Sequence, residues 1–265
     1  MMAHPFHIHG VHFEVLSRNG SAPGIRDQGQ RDTVVAQEPV ELLVKFTQTA
    51  MTSPFMYHCH ILEHEDNGMM GRSTSEQERI GKELARQGMT MGVFVIDKGG
   101  NGANTFAAGK QEHTDIFLEA CRKAVDVAKR VNAKWMTVVP GDFARWLPQD
   151  IQTANVIETL KRAAEIFESH GLVMVLEALS DTPDLFLRTT PQAYVICKGV
   201  DSPSCKILYD AYHMQKNEGN LIVNIDWAWD EIVYIQVGDN PGRKEPYTGE
   251  VNYKNVFKHL YDKGY

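Results

Sequence analysis

The spacing of apolar and polar residues changes along the chain and divides it into two parts. Up to about residue 70, apolar residues alternate with polar ones or form short runs, as at 11–16 and 40–46, which is typical of β-strands. From about residue 76 onward, short apolar runs alternate with longer segments in which apolar residues recur every three or four positions. This second pattern predicts strands connected by helices.

The second part of the chain predicts a repeated strand–helix order. Ser75 follows a polar join and is the predicted N-cap of a first helix, which stops near Gly88. Helical spacing is clear again at 114–131 and 151–167. The strand-like runs lie at 89–96, 135–139, 172–179, 206–209 and 232–237. This alternation predicts a parallel sheet or a (β/α) barrel, so we expect one domain over 1–71 and a second over 72–265.

Composition excludes some classes of protein. The 265 residues are 43% apolar, which is enough for packed cores. A net charge of −7 and the lack of a Lys/Arg cluster argue against nucleic acid or an anionic membrane as the main partner. The first residues lack the basic and apolar regions of an export signal, so the sequence as given predicts a cytoplasmic protein without membrane spans. The four cysteines lie at scattered spacings and predict no disulfide framework.

The region 57–70 concentrates metal-binding side chains. It contains three histidines, one cysteine and two methionines. A mononuclear copper centre for electron transfer takes two imidazoles, one thiolate and a weak axial thioether, because soft sulfur suits Cu(I) and nitrogen suits Cu(II). Cys59, His64 and Met69 supply three of these ligands at short spacing. His4, from a second histidine-rich run, supplies the fourth.

Histidines two residues apart add a second feature. Residues i and i+2 of a strand point to the same face, so His7 with His9, and His58 with His60, each present two imidazoles together. Cys59 lies between the second pair and points to the opposite face. One strand could therefore serve two metal centres, one on each face.

The two motifs, His-Pro-x-His-x-His and His-Cys-His-x3-His-x4-Met, resemble the carboxy-terminal part of a multicopper oxidase of the laccase group over residues 2–70. The resemblance implies a cupredoxin-like fragment with copper as its cofactor. It assigns His4, Cys59, His64 and Met69 to the mononuclear copper, His7 to the mononuclear part of the oxygen-reducing cluster, and His9, His58 and His60 to its binuclear part. Electrons would pass from Cys59 to the cluster through the histidines beside it.

The sequence contains all the ligands of one copper site but only some of those of the other. The resemblance implies two further His-x-His motifs from an amino-terminal domain, and the sequence contains none. The mononuclear site therefore has all of its ligands, whereas the oxygen-reducing trinuclear cluster has half. Zinc is the alternative occupant, because a His/Cys cluster binds zinc readily. The resemblance also suggests a periplasmic or secreted origin for this segment.

Polar residues follow the later predicted strands, where (β/α) barrels place their chemistry. Glu177 ends one apolar run, and Asp210 and His213 follow the next. Gln236 and Arg243 lie at and after the last run. Three oxygen donors on neighbouring strands suit Mg²⁺ or Mn²⁺. A carboxylate beside such an ion can also move a proton α to a carbonyl group.

These residues belong to three recognisable stretches, Val-Leu-Glu-Ala-Leu at 175–179, Tyr-Asp-Ala-Tyr-His-Met-Gln at 209–215 and Ile-Gln-Val-Gly-Asp-Asn-Pro-Gly-Arg at 235–243. The stretches resemble hydroxypyruvate isomerase and its relatives among the xylose-isomerase-like barrels, and the resemblance covers residues 76–265. It implies an α/β fold with an incomplete (β/α) TIM-type barrel of about five strand–helix units. It further implies Glu177, Asp210 and Gln236 as metal ligands, Glu177 also as an acid/base, and His213 and Arg243 as substrate contacts.

Part of the implied barrel is not in the sequence. In the family a second catalytic glutamate follows a Gly-Tyr pair that resembles Gly264-Tyr265, and the sequence stops there. The first two strands are also missing from the pattern. We therefore expect two exposed strand edges, which a second copy of the chain could pair in a homo-oligomer.

Three functional hypotheses follow. The first is a laccase-like copper oxidoreductase that oxidises phenolic or other one-electron donors, with Cys59 carrying the electrons. The second is a divalent-metal-dependent hydroxypyruvate or ketose isomerase, with Glu177 and His213 as its catalytic residues. The third is a catalytically inert, metal-binding fusion. The first two predict a small-molecule substrate.

Overall fold

We describe the protein from a computed structural model, which covers residues 4–8, 12–31, 33–36, 38–44, 57–59 and 69–265. The chain divides into two compact units, Met1–Gly68 and Met69–Tyr265. The domain bounds drawn from the sequence, 1–71 and 72–265, stay a prediction. Within the described ranges, no helix combines the length and apolar character that crossing a lipid bilayer requires.

The first unit is built from short antiparallel strands. They are β1 (His4–Ile8), β2 (Phe13–Arg18), β3 (Thr33–Ala36), β4 (Val40–Val44) and β5 (Tyr57–Cys59). One sheet has the order β3–β1–β5, and β2 pairs with β4 in a second sheet. Phe13 and Val15 are buried whereas Glu14 and Leu16 are exposed, as alternation predicts. The buried pair packs with Val34 in a small apolar cluster.

The second unit confirms the predicted α/β fold. Its sheet consists of β6 (Phe94–Val95), β7 (Trp135–Val138), β8 (Val173–Glu177), β9 (Cys205–Asp210) and β10 (Ile232–Gln236). The helices are α1 (Thr74–Arg86), α2 (Gln111–Val131), α3 (Gln149–Glu168), α4 (Thr190–Val200), α5 (Ala211–Asn217), α6 (Leu221–Ala228) and α7 (Tyr253–Asp262). All five strands are parallel and lie in chain order across the sheet. This order is that of a barrel in which each strand is laid beside the preceding one.

The parallel sheet curls. Two strands separate β7 from β10, so a flat sheet would hold these strands about 14 Å apart. Nevertheless, the ring centroids of Trp135 and Tyr234 are 5.4 Å apart. The Tyr234 phenol is also hydrogen-bonded to the backbone of Val93, which precedes β6. At the other edge, the hydroxyl of Tyr265 accepts a hydrogen bond from the Ile235 N–H at 3.1 Å. Tyrosines thus satisfy edge groups, and oligomeric pairing along the edges stays a prediction.

Helix α1 begins two residues earlier than the sequence analysis predicts, because Ser73 and not Ser75 is the N-cap. Ser73 Oγ accepts the Glu76 N–H at 3.3 Å, and the Glu76 carboxylate accepts the Ser73 N–H at 3.0 Å. This reciprocal arrangement is a capping box. The earlier start also lets the Gln77 amide donate to the carbonyls of Met69 and Arg72, at 3.0 and 2.9 Å. The predicted end is right: the helix stops before Gly88, whose φ is +65°.

Helix α3 packs one face in the core and exposes the other, which predicts different effects of substitutions on its two faces. Leu160 on α3 is fully buried, so Leu160→Ala should lower the free energy of unfolding by about 2–5 kcal/mol through lost contacts and a cavity. Ile151→Ala on the same helix is the matched control, because Ile151 is 48% exposed. Urea unfolding followed by tryptophan fluorescence measures both, since all four tryptophans lie in the second unit. Equal losses in the two variants would contradict this packing.

Candidate active site

Three side chains with oxygen donors lie at the carboxy ends of neighbouring strands. Glu177, Asp210 and Gln236 are the last residues of β8, β9 and β10, and they are 8%, 4% and 9% exposed. Each ends an apolar run that packs in the sheet, and parallel strands all end at one rim. Gln236 and Asp210 are register partners. The sequence pattern therefore places these polar groups together.

His213 is brought to the same rim by the helix that follows Asp210. The Asp210 carboxylate caps α5 by accepting the Tyr212 N–H at 2.8 Å, so the first turn of the helix folds back over the strand end. The imidazole is fully buried. Its Nε2 lies 3.6 Å from Asp210 Oδ2 and 4.0 Å from Glu177 Oε1.

The hydrogen bonds of His213 determine its tautomer. Nδ1 accepts the backbone N–H of Ser180 at 3.2 Å and lies 2.8 Å from Ser180 Oγ. A backbone N–H can only donate, so in the neutral ring the hydrogen is on Nε2. Burial lowers the pKa of His213 from its ordinary value, against the opposing effect of the Asp210 charge, which favours this neutral form. Nε2 has no hydrogen-bond partner among the described residues, so it is a donor directed at the rim.

Arg243 lies beside these groups. Its Nη2 is 3.5 Å from Asp210 Oδ2, and its guanidinium carbon is 5.3 Å from the centroid of the Tyr212 ring. The stem of the side chain comes from the loop after β10, where Arg243 has a φ of +49°. The structure thus brings together all five residues that the sequence analysis selected in the barrel: Glu177, Asp210, His213, Gln236 and Arg243.

Asp181 is an ionised neighbour of the rim. Burial raises the pKa of its carboxyl, but the hydrogen bond from Lys216 and the charges of Lys216 and Arg243 outweigh burial, so the net pKa is below the ordinary value. Ser180, Asp181 and Lys216 were not selected from the sequence. A usable signal was present for two of them, because Ser180 and Asp181 lie three and four residues after Glu177, in the loop after a barrel strand.

The described side chains fit a divalent cation. Ligand atoms of Glu177, Asp210 and His213 all lie within 4.8 Å of one another. Two of these groups are buried carboxylates, and a bound cation would offset part of the cost of burying their charge. The unpartnered Nε2 of His213 faces them but carries its hydrogen. The ion would therefore take oxygen atoms from Glu177, Asp210 and Gln236.

The predicted copper ligands are described in part. His4 and His7 lie on β1, and His58 and Cys59 lie on β5. His9, His60 and His64 lie outside the described residues. Met69 is 8% exposed and belongs to the main apolar cluster of the second unit. The metal-binding roles of all these residues stay predictions.

Comparison with known proteins finds a separate family match for each of the two parts of the chain. Residues 62–265 match the family of xylose isomerase-like TIM barrels, and residues 1–79 match the multicopper oxidase family. The chain is 31% identical over 160 residues to the hydroxypyruvate isomerase of Escherichia coli (strain K12), covering 59% of this chain and 60% of that protein. It is 50% identical over 76 residues to the multicopper oxidase mco of Staphylococcus aureus, covering 27% of this chain and 16% of that protein.

Solved structures show the same fold. The AP endonuclease, family 2, from Brucella melitensis superimposes with a TM-score of 0.64 at 23% identity, covering 71% of this chain and 74% of that one. The chain spans 60% of the length of the Escherichia coli isomerase and 16% of that of the Staphylococcus aureus oxidase. The chain belongs to the family of xylose isomerase-like TIM barrels, and its first 79 residues are similar to multicopper oxidases.

Proposed function

We propose that the second unit is a divalent-metal-dependent isomerase of a short α-hydroxy carbonyl acid of the hydroxypyruvate type. One observation carries the proposal: buried Glu177 and Asp210 share a rim with the Nε2 of His213, with Gln236 at the end of the next strand. The similarity to hydroxypyruvate isomerase supports the same chemistry. This function ranks above the copper oxidoreductase, because its side chains lie together in the described part of the chain.

The donor atoms favour a hard cation. Carboxylate and amide oxygens suit Mg²⁺ or Mn²⁺, whereas zinc stays the predicted alternative to copper at the His/Cys cluster of the first unit. When bound, the cation supplies positive charge beside the carbonyl and hydroxyl oxygens of the substrate. Glu177, Asp210 and Gln236 would hold it.

Isomerisation moves a proton between adjacent carbons. The Glu177 carboxylate takes a proton from the hydroxymethyl carbon of hydroxypyruvate and returns it to the former carbonyl carbon. A second proton passes from the hydroxyl oxygen to the former carbonyl oxygen, which gives the aldehyde isomer. Because the two carbons adjoin, one carboxylate can act first as base and then as acid. His213 donates from Nε2 to the oxygen on which negative charge develops.

Charges at the rim favour an anionic substrate. Glu177, Asp181 and Asp210 bring three negative charges, and Lys216 and Arg243 bring two positive ones. A divalent cation changes the sum to a single positive charge, which attracts a monoanionic keto acid more than a neutral ketose. The guanidinium of Arg243 offers paired donors for the carboxylate.

Activity tests the acid/base role. Glu177→Gln should slow hydroxypyruvate isomerisation in the presence of Mg²⁺ or Mn²⁺ by about 100-fold or more, because it removes the general base. Proton NMR of the substrate in D₂O follows both isomerisation and deuterium uptake. Glu165→Gln, at an exposed glutamate on α3, is the matched control. Equal rates in wild type and Glu177→Gln would dispose of the proposal.

Metal binding tests the division of roles between oxygen and nitrogen. Asp210→Asn should weaken Mn²⁺ binding by about tenfold or more, because a charged oxygen ligand is lost. His213→Gln should leave the affinity within about threefold, since Nε2 carries a hydrogen and offers no lone pair. Electron paramagnetic resonance of free Mn²⁺ measures both affinities. An equal loss in the two variants would make the imidazole a ligand.

A backbone arrangement supports laccase-like copper oxidation of phenolic donors as the second candidate function. β1 and β5 are antiparallel neighbours, with His7 opposite His58 and Phe6 opposite Cys59. His4 and His7 of the first histidine motif therefore lie on the strand next to the one that carries His58 and Cys59 of the second. The match of residues 1–79 to the multicopper oxidase family supports copper as the cofactor.

Visible spectroscopy tests the copper proposal. Copper-loaded protein should show an intense visible band from charge transfer between the Cys59 thiolate and Cu(II), and Cys59→Ser should lose it. Cys121→Ser is the control, because Cys121 is a buried free thiol in the core of the second unit and should leave the band unchanged. A colourless copper-loaded wild type would overturn the proposal.

A further inference from the structure

Asp181 is the point at which several side chains of the rim converge. It lies four residues after Glu177, and its side chain is 25% exposed. The carboxylate accepts hydrogen bonds from the Lys216 ammonium and from Tyr212 Oη at 3.3 Å. A single loop residue after β8 is thereby tied to two successive turns of α5.

Two paths lead from Asp181 to Arg243. The direct path is electrostatic, because Arg243 Nη1 is 4.0 Å from Asp181 Oδ2. The second path runs through Tyr212: Asp181 accepts its hydroxyl, and the guanidinium of Arg243 lies over its ring. Lys216 lies 5.1 Å from the centroid of the same ring and neutralises Asp181. An arginine has many rotamers, so such support determines where its donors point.

We propose that Asp181 is a positioning residue, which orients the Arg243 guanidinium for the carboxylate of the substrate. The proposal rests on the isomerase function proposed above. It assigns Asp181 no contact with the reacting atoms. Its effect is to fix the plane of the guanidinium between Asp181 and Asp210, with the Tyr212 ring as a support.

Two other roles for Asp181 predict different results. If Asp181 acts only through its charge, Asp181→Asn removes a negative charge beside Arg243 and should lower the KM for an anionic substrate. If it only stabilises the loop, the variant should lower the melting temperature and leave the KM unchanged. If Asp181 is a positioning residue, Asp181→Asn should raise the KM although the site becomes more positive, which is the opposite of the change expected from charge alone.

The first measurement needs no activity. In the full chain labelled with [¹⁵N]arginine, the Nε–H signal of Arg243, assigned by its loss in Arg243→Lys, should be sharp and distinct. We expect it to broaden or move to the position of exposed arginines in Asp181→Asn. Asp184→Asn is the matched control, because Asp184 is in the same loop and pairs with exposed Arg145 at 2.6 Å. An unchanged Arg243 signal in Asp181→Asn overturns the proposal.

The second measurement is kinetic. In Mn²⁺-loaded protein, Asp181→Asn should raise the KM for hydroxypyruvate by about tenfold with kcat within about twofold, because the loss is one of binding. Tyr212→Phe keeps the ring and removes the hydroxyl, so it should move both readouts in the same direction by less. If Asp181→Asn fails to fold, Tyr212→Phe provides the same test. A lower or unchanged KM overturns the proposal. A different result is a wild type that lacks isomerase activity while the Arg243 signal changes in Asp181→Asn and not in Asp184→Asn. This result supports the positioning role and contradicts the isomerase function.

Discussion

A parallel sheet ends all its strands at one rim, and the curl of the sheet determines how closely the last residues of those strands approach one another. In this chain the curl is secured on the inside of the arc, where Trp135 on β7 meets Tyr234 on β10. Glu177 and Asp210 end the adjacent strands β8 and β9, so their carboxylates share one group of ligand atoms with His213. Parallel pairing holds neighbouring strands about 4.8 Å apart, whereas the curl acts on strands that are further apart in the sheet. The positions of the candidate site residues therefore depend on the pairing of the strands in the sheet.

The concentration of charge at this rim has a cost that the fold offsets only in part. Arg243 and Lys216 compensate carboxylates on one side, at Asp210 and Asp181. The Nε2 of His213 faces the same carboxylates without a hydrogen-bond partner among the described residues. A buried donor left in this state costs about 1–3 kcal/mol, which a cation and a substrate oxygen can recover on binding. Stability given up at such a position is the usual signature of a site built for a ligand rather than for the fold.

The sequence predicted those features that depend on residues close together in the chain. Glu177, Asp210 and Gln236 could be predicted because each ends an apolar run, and the active sites of (β/α) barrels lie at the carboxy ends of their strands. The N-cap of α1 was misplaced because Ser73 and Ser75 both have a glutamate three residues later, and the choice depends on what Gln77 can reach. Asp181 carried a local signal, since it lies in the loop after a barrel strand, but its contacts with Tyr212 and Lys216 form where that loop meets α5. No local pattern encodes such a meeting, nor the contact of Trp135 with Tyr234.

The side chain of Met69 has both a predicted role and an observed position. The copper motif predicts that its thioether is a weak axial metal ligand. In the structure the side chain is 8% exposed in the core of the barrel unit, and its carbonyl accepts a hydrogen bond from Gln77 at 3.0 Å. Withdrawing a buried methionine from such a core costs about 1.5–3 kcal/mol, a penalty that a long axial bond must exceed before the metal can keep the ligand. Burial in the apolar cluster of the second unit thus accounts for the position of Met69 without a metal, and its predicted role as an axial ligand would require the side chain to leave that cluster.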